Sequence, residues 1–154
     1  MNEILDYLPF LFPVYFVALW CFILWIFSFS WKRLAAQYHH PKEFQGEFLR
    51  FRSAIVNSVR YNGVLNLGMN RRGLYLVPMA IFRPFHKPLF IPWEEIVAQP
   101  FQKLLYQGYQ LQCRSVPGVR IVLYPGTFQR IVEYLRKHTG FRLDEERGSS
   151  GFRQ

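Results

Sequence analysis

The sequence predicts an α+β protein: one N-terminal transmembrane helix, then a strongly bent sheet or partial β-barrel of about seven strands, capped by a C-terminal amphipathic helix. Three observations predict it. An uncharged run of 25 residues, Tyr7 to Trp31, stands near the start of the chain. From Phe51 the hydrophobic period is two, broken by tight-turn signals such as Asn62-Gly63. Near the end, Phe128, Ile131, Val132 and Leu135 recur at helical spacing.

Whole-chain averages hide this segmentation. The 154 residues are 51% hydrophobic and 19% aromatic, and their mean hydropathy is zero. Yet no charged residue or histidine lies between Asp6 and Lys32, and eleven of the 29 aromatic residues fall in that gap. All 19 Lys and Arg lie from Lys32 onward, where 8 acidic residues oppose them and leave +11. Such a composition excludes a disordered chain, a disulfide-rich secreted miniprotein and a large multi-domain enzyme.

A spanning helix needs about 20 apolar residues, so residues 7–31 suffice after a short tail at 1–6. Pro9 and Pro13 either end the regular helix near Val14 or kink one longer helix. Glu3 and Asp6 stand where a signal peptide carries cations, the apolar run is too long, and no small-x-small cleavage pattern follows. The Lys/Arg excess on the C-terminal side predicts a single pass through an inner or plasma membrane, N-terminus outside and domain in the cytoplasm. Trp31, Lys32 and Arg33 are the expected membrane anchors, an aromatic at headgroup level beside two cations that snorkel.

Residues 32–47 read as a juxtamembrane helix and linker. Trp31, Leu34, Ala35 and Tyr38 share one helical face, and His39, His40 and Pro41 stop the helix. The β domain is expected over 48–142. Asn62-Gly63 is its first hairpin turn. Leu65, Leu67 and Met69 then face inward, and Asn70 to Gly73 turns the chain again. Leu74–Phe82 is a strand interrupted by Pro78, Arg83–Pro88 a loop, and Leu89–Pro92 a short strand entering Trp93. Ile96–Leu105 and Gly108–Arg114 form a further pair, in which Tyr109, Leu111 and Cys113 face inward. Pro117-Gly118 turns into Val119, Ile121 and Leu123. The closing helix, 127–139, takes Thr127 as N-cap and Gly140 as C-terminal cap. Residues 143–154 are expected to be a disordered tail.

Motifs for chemistry are missing. The chain has no Gly-rich phosphate loop, no G-x-S-x-G, no H-E-x-x-H and no C-x-x-C. Glu94-Glu95 is the only acidic pair in the sheet region, and neighbours on a strand point to opposite faces, so it reads as a turn or helical start. His39-His40 lacks a third ligand. Cys21 lies in the span and cannot meet Cys113, which reads as core. The expectation is therefore a non-enzyme, with no catalytic residue, no metal and no cofactor.

About seven strands in hairpin succession before one C-terminal helix resembles the pleckstrin-homology-like (PH/GRAM-like) fold. The segments Gly73-Leu74-Tyr75-Leu76, Phe82-Arg83-Pro84 and Pro88-Leu89-Phe90-Ile91-Pro92-Trp93-Glu94-Glu95-Ile96 are similar to the core of small bacterial membrane-anchored proteins that carry such a domain. The resemblance covers roughly 48–140 and implies the fold. It carries over no binding residue, because the Lys-x-Lys/Arg pattern of lipid-binding PH domains is absent from the first hairpin.

Function then rests on charge and aromatics. Arg71, Arg72, Arg83, Phe85, Lys87 and Trp93 are the candidate contacts, with the aromatics Phe85, Phe90 and Trp93 reading as core if buried, the favoured alternative, and as a docking surface if exposed. One expectation is a binding or scaffold module, integral to the bilayer, that presents its basic domain to a protein partner. The other is a lipid-surface module whose basic loops meet anionic headgroups. Nucleic acid is not expected, since the cations are scattered over turns rather than striped with aromatics.

Overall fold

The computed structural model describes residues 3–39, 43–103, 106–140 and 144–145. Helix α1 (Glu3–Phe27) runs through both Pro9 and Pro13 without ending. Of the two readings of these prolines, the single longer helix is the one observed. Its stretch Pro9–Phe27 is apolar enough and, at 19 residues, long enough to span a bilayer, and its side chains are almost all unburied.

Helix α2 (Phe29–Tyr38) continues α1 across Ser28. The hydrogen-bond ladder carries through, from Ser28 N–H to the Leu24 carbonyl at 3.0 Å and from Lys32 N–H to the Ser28 carbonyl at 2.8 Å. Ser28 Oγ also donates to the Trp25 carbonyl at 2.7 Å, a local bond of the kind that bends helices. Trp31, Leu34 and Tyr38 are buried on one face, as their spacing predicts. That face joins one hydrophobic cluster with the buried residues of the strands, so α2 belongs to the domain's core rather than to a spacer before it.

The sheet has the order β4-β3-β2-β1-β7-β6-β5-β8. Strands β1 (Glu47–Val56), β2 (Val59–Met69), β3 (Gly73–Pro78), β4 (Leu89–Pro92), β5 (Ile96–Lys103), β6 (Tyr106–Cys113) and β7 (Val116–Leu123) form seven antiparallel strands of an open sheet. Single 3-10 turns at Ala80–Phe82 and Trp93–Glu95 flank β4. Helix α3 (Pro125–His138) covers β6, with Phe128 stacked on Tyr109 at 3.9 Å between centroids. Inward positions follow the period-two pattern: Leu65, Leu67, Met69, Leu111, Cys113, Val119, Ile121 and Leu123 are all buried.

Several turns differ from their expected places. The first hairpin turns at Asn57-Ser58, where Asn57 has φ +55°. Its side chain accepts from Arg120 N–H at 2.9 Å and donates to Ser30 Oγ at 3.0 Å, so strand β7 and α2 select this turn. Asn62-Gly63 instead forms a bulge within β2, with Gly63 at φ +63° and its N–H on Ser53 Oγ at 2.8 Å. Pro117-Gly118 lies inside β7, and the turn falls at Arg114-Ser115. Strand β3 stops at Pro78.

Helix α3 starts two residues earlier than expected. Tyr124 is its N-cap residue, without a side-chain cap bond, Pro125 opens the helix, and Thr127 is buried within the first turn. Phe128, Ile131 and Leu135 are buried, whereas Val132 is exposed. Gly140, at φ +66°, and Thr139 both direct N–H groups to the Leu135 carbonyl, so the expected C-terminal stop is present. Within the expected tail, Asp144–Glu145 form a short parallel strand β8 on β5. Residues 146–154, like His40, Pro41 and the Leu104-Leu105 connection, lie outside the described residues.

Because Leu34 is fully buried and the neighbouring Ala36 is exposed, the two positions separate packing from helix propensity. Leu34→Ala is expected to cost about 3 kcal/mol in denaturant unfolding of the full-length protein in mild detergent. Ala36→Ser is expected to change stability by less than about 0.5 kcal/mol. Equal effects would show that α2 is not part of the core.

Candidate functional site

The geometry starts from Trp31. Instead of lying at headgroup level, it is 1% exposed and packs in the domain core. Its ring meets Tyr61 at 5.7 Å and His86 edge-on at 5.4 Å, and its Nε1–H donates to the Lys87 carbonyl at 2.8 Å. His86, within the expected Arg83–Pro88 loop, is likewise buried. Its Nδ1 lies 3.2 Å from the Phe82 carbonyl, which only a protonated nitrogen satisfies. Its Nε2 therefore accepts from the Tyr61 hydroxyl, at 2.9 Å. Burial, seconded by the Lys32 charge, holds the His86 imidazole below its ordinary value despite the Phe82 carbonyl. Burial also raises the Tyr61 phenol. Trp31, Tyr61 and His86 together fasten the Arg83–Pro88 loop to α2.

That fastening decides which candidate residues meet. Lys32, Phe85 and Lys87 line one cleft of about 470 Å³ together with Trp25, a residue of the apolar span. Lys32 Nζ stands 5.4 Å from the Trp25 ring centroid, a cation–π contact. Arg33 is exposed elsewhere on α2, close enough to Gly118 that a Cβ there would come within 2.9 Å of its guanidinium. Arg71 and Arg72 sit in the β2–β3 turn, organised by Asn70 Oδ1, which accepts from Arg72 N–H at 2.8 Å and Gly73 N–H at 2.9 Å. Strand β3 separates that turn from the Arg83–Pro88 loop by about 17 Å at 3.3–3.4 Å per residue. The expected contacts therefore form two basic regions, not one. Trp93 is 3% exposed, with its Nε1–H on the Asn70 carbonyl at 2.9 Å, so it offers no docking surface.

On the other side of the sheet face, a cleft of about 600 Å³ is lined by Arg50, Phe51, Asn66, Tyr75, Met79 and Arg83, among others. Phe44 bounds it, stacked on Tyr75 at 4.6 Å. Phe51 adopts φ +54° in a bulge of β1, with its N–H on Asn66 Oδ1 at 3.2 Å. Arg50, Phe51 and Asn66 escape a reading of the sequence, because a bulge that reverses one residue's φ leaves no compositional mark.

A third grouping surrounds Glu95. One of its carboxylate oxygens accepts from the Tyr38 hydroxyl at 2.9 Å, Ser115 Oγ at 2.7 Å and Ser115 N–H at 3.0 Å. Ser115 and Tyr38 hold the Glu95 carboxyl below its ordinary range, while burial and the bond to Glu95 push the Tyr38 phenol up to about 12. Burial raises the neighbouring Cys113 thiol to about 12, so it stays protonated. This grouping ties the end of α2 to the 3-10 turn at Trp93–Glu95 and to the β6–β7 turn. His39 caps α2, with its ring 3.4 Å from the Pro88 carbonyl. Among the described residues no three His, Cys, Asp or Glu side chains gather as a metal site.

These features define an α+β protein whose one span-length apolar helix runs directly into the core of a seven-stranded antiparallel sheet domain. Comparison with protein-family models and with curated proteins finds no match for this chain.

The buried imidazole makes stability depend on pH. The unfolded chain protonates His86 near 6.5, and the folded protein resists protonation to lower pH. Its contribution is fully present above about 6.5 and is lost as pH falls toward the folded-state value. The thermal unfolding midpoint is expected to fall between pH 8 and pH 5.5 by more in the native protein than in His86→Gln. Parallel pH profiles would contradict this role.

Proposed function

We propose that this protein is a single-pass, non-catalytic membrane module whose basic PH-like domain rests on the cytoplasmic face and contacts anionic headgroups. One observation carries the reading: Trp25 of the apolar span shares a cleft with Lys32, Phe85 and Lys87. If α1 crosses the bilayer, the Arg83–Pro88 loop lies where the helix emerges, with an aromatic and cations at headgroup depth. Each cation near an anionic leaflet contributes about 1 kcal/mol of attraction. Ile81, 60% exposed on the adjoining 3-10 turn, adds an apolar contact of the kind that inserts between headgroups.

The cytoplasmic orientation rests on the Lys/Arg excess beyond the span. The PH-like reading is supported by two antiparallel meanders, β1–β4 and β5–β7, joined through β1 and β7, and by the amphipathic helix α3 packed on the sheet. Docking of a protein partner through Phe85 and Trp93 has less support, since Trp93 is buried.

Full-length protein in nanodiscs containing anionic lipid tests the reading, with a spin label at Pro84→Cys or Arg71→Cys on a Cys21→Ala background. The Pro84 label is expected to be relaxed by a lipid-borne agent and shielded from a water-soluble one. The Arg71 label, about 17 Å away along β3, is expected to show the reverse. Equal access of the water-soluble agent to both labels would overturn the surface reading.

A further inference from the structure

We infer that the cleft between β1 and the Met79–Arg83 segment binds the headgroup of a singly charged anionic phospholipid, with the phosphodiester held between Arg50 and Arg83. The inference rests on the surface reading above and names the ligand that the surface would select.

The walls of the cleft carry one guanidinium each. Arg50 projects from β1 and Arg83 from the start of the loop that follows β3. Both residues are exposed, and among the described residues no hydrogen bond or ion pair engages either guanidinium. Between them the floor is formed by Asn66, Tyr75 and Val77. Asn66 spends its oxygen on the Phe51 N–H, which leaves its amide N–H groups for an acceptor. Two forked cations with an amide donor suit a phosphate oxygen pair. Glu43 stands at the margin of the cleft, so its described lining has a formal charge of +1. That balance complements a phosphodiester of charge −1 and disfavours a multiply charged headgroup.

Phe51 supplies the second, independent observation. A residue with a Cβ at φ +54° is strained, and nothing repays the strain by packing, because the ring is 64% exposed. The conformation turns the ring outward at the cleft, where it and Met79 offer an apolar wall to glycerol and the upper acyl chain. The volume of about 600 Å³ is ample for a headgroup. Arg83 directly precedes Pro84, in the loop that shares a cleft with Trp25, so the headgroup would come from the leaflet into which the helix emerges.

The test uses full-length protein in non-ionic detergent, titrated calorimetrically with dihexanoyl phosphatidylglycerol, dihexanoyl phosphatidylcholine or inorganic phosphate. Phosphatidylglycerol is expected to bind, with phosphatidylcholine and phosphate at least tenfold weaker. The R50Q/R83Q variant is expected to lose roughly 30-fold in affinity with an unchanged unfolding midpoint, whereas R71Q/R72Q binds normally. Phe51→Gly is expected to keep or raise the midpoint while weakening binding several-fold. Equal binding of the two lipids, phosphate binding as tightly as lipid, or unchanged affinity in R50Q/R83Q would each overturn the assignment. A Pro84 label in the bilayer combined with such a result removes the cleft assignment alone. A Pro84 label in water removes the surface reading on which it rests.

Discussion

Burial of Trp31, Leu34 and Tyr38 in the sheet is the interaction on which the remaining structure depends. Each is at most 6% exposed, and burying a side chain of this size stabilises by about 1.5–3 kcal/mol. The sheet is open, and α2 packs against it, touching both β4 and β7. Without these side chains the inward faces of Leu65, Leu89 and Ile91 would lack a cover. The two polar groupings sit at the ends of this packing. His86 and Tyr61 lie against Trp31, and Glu95 and Ser115 lie against Tyr38. A helix that begins as a candidate span therefore ends as a core element, and the domain inherits the helix's position.

That inheritance changes what the basic residues mean. A domain on a loose tether presents all its cations equally. A domain whose core contains the continuation of α1 has a side near that helix and a side far from it. Lys32 and Lys87 are grouped near the end of α1 and Arg83 lines the neighbouring cleft with Arg50, whereas Arg71 and Arg72 occupy the β2–β3 turn. The strained, exposed Phe51 and its neighbour Arg50 belong to the face that meets the Arg83 segment.

Much of this architecture is legible in the sequence where a period is long and unambiguous. The face of Trp31, Leu34 and Tyr38, the inward row of Leu65, Leu67 and Met69, and the turn from Asn70 to Gly73 all emerge from spacing alone. Turn positions are less legible, because tertiary bonds choose between local signals of similar strength. Asn57 wins over Asn62-Gly63 through its bonds to Arg120 and Ser30. Trp31 beside two cations reads as an interfacial anchor, and only the approach of Tyr61 and His86 from distant strands makes it a core residue. Trp93, which reads as core or as a docking surface, is core, with its Nε1–H on the Asn70 carbonyl. The cleft of Arg50 and Arg83 brings a bulge of β1 beside the loop that follows β3, and neither residue's local sequence signals the other.

The central claim is that α2 folds as part of the β domain. Hydrogen–deuterium exchange of the full-length protein in nanodiscs tests it most directly, by comparing amides of α2 from Leu34 to Tyr38 with those of β2 from Leu65 to Met69. The account predicts that both sets exchange only in the same cooperative opening, with matching protection. Rapid exchange of α2 while β2 stays protected would contradict it.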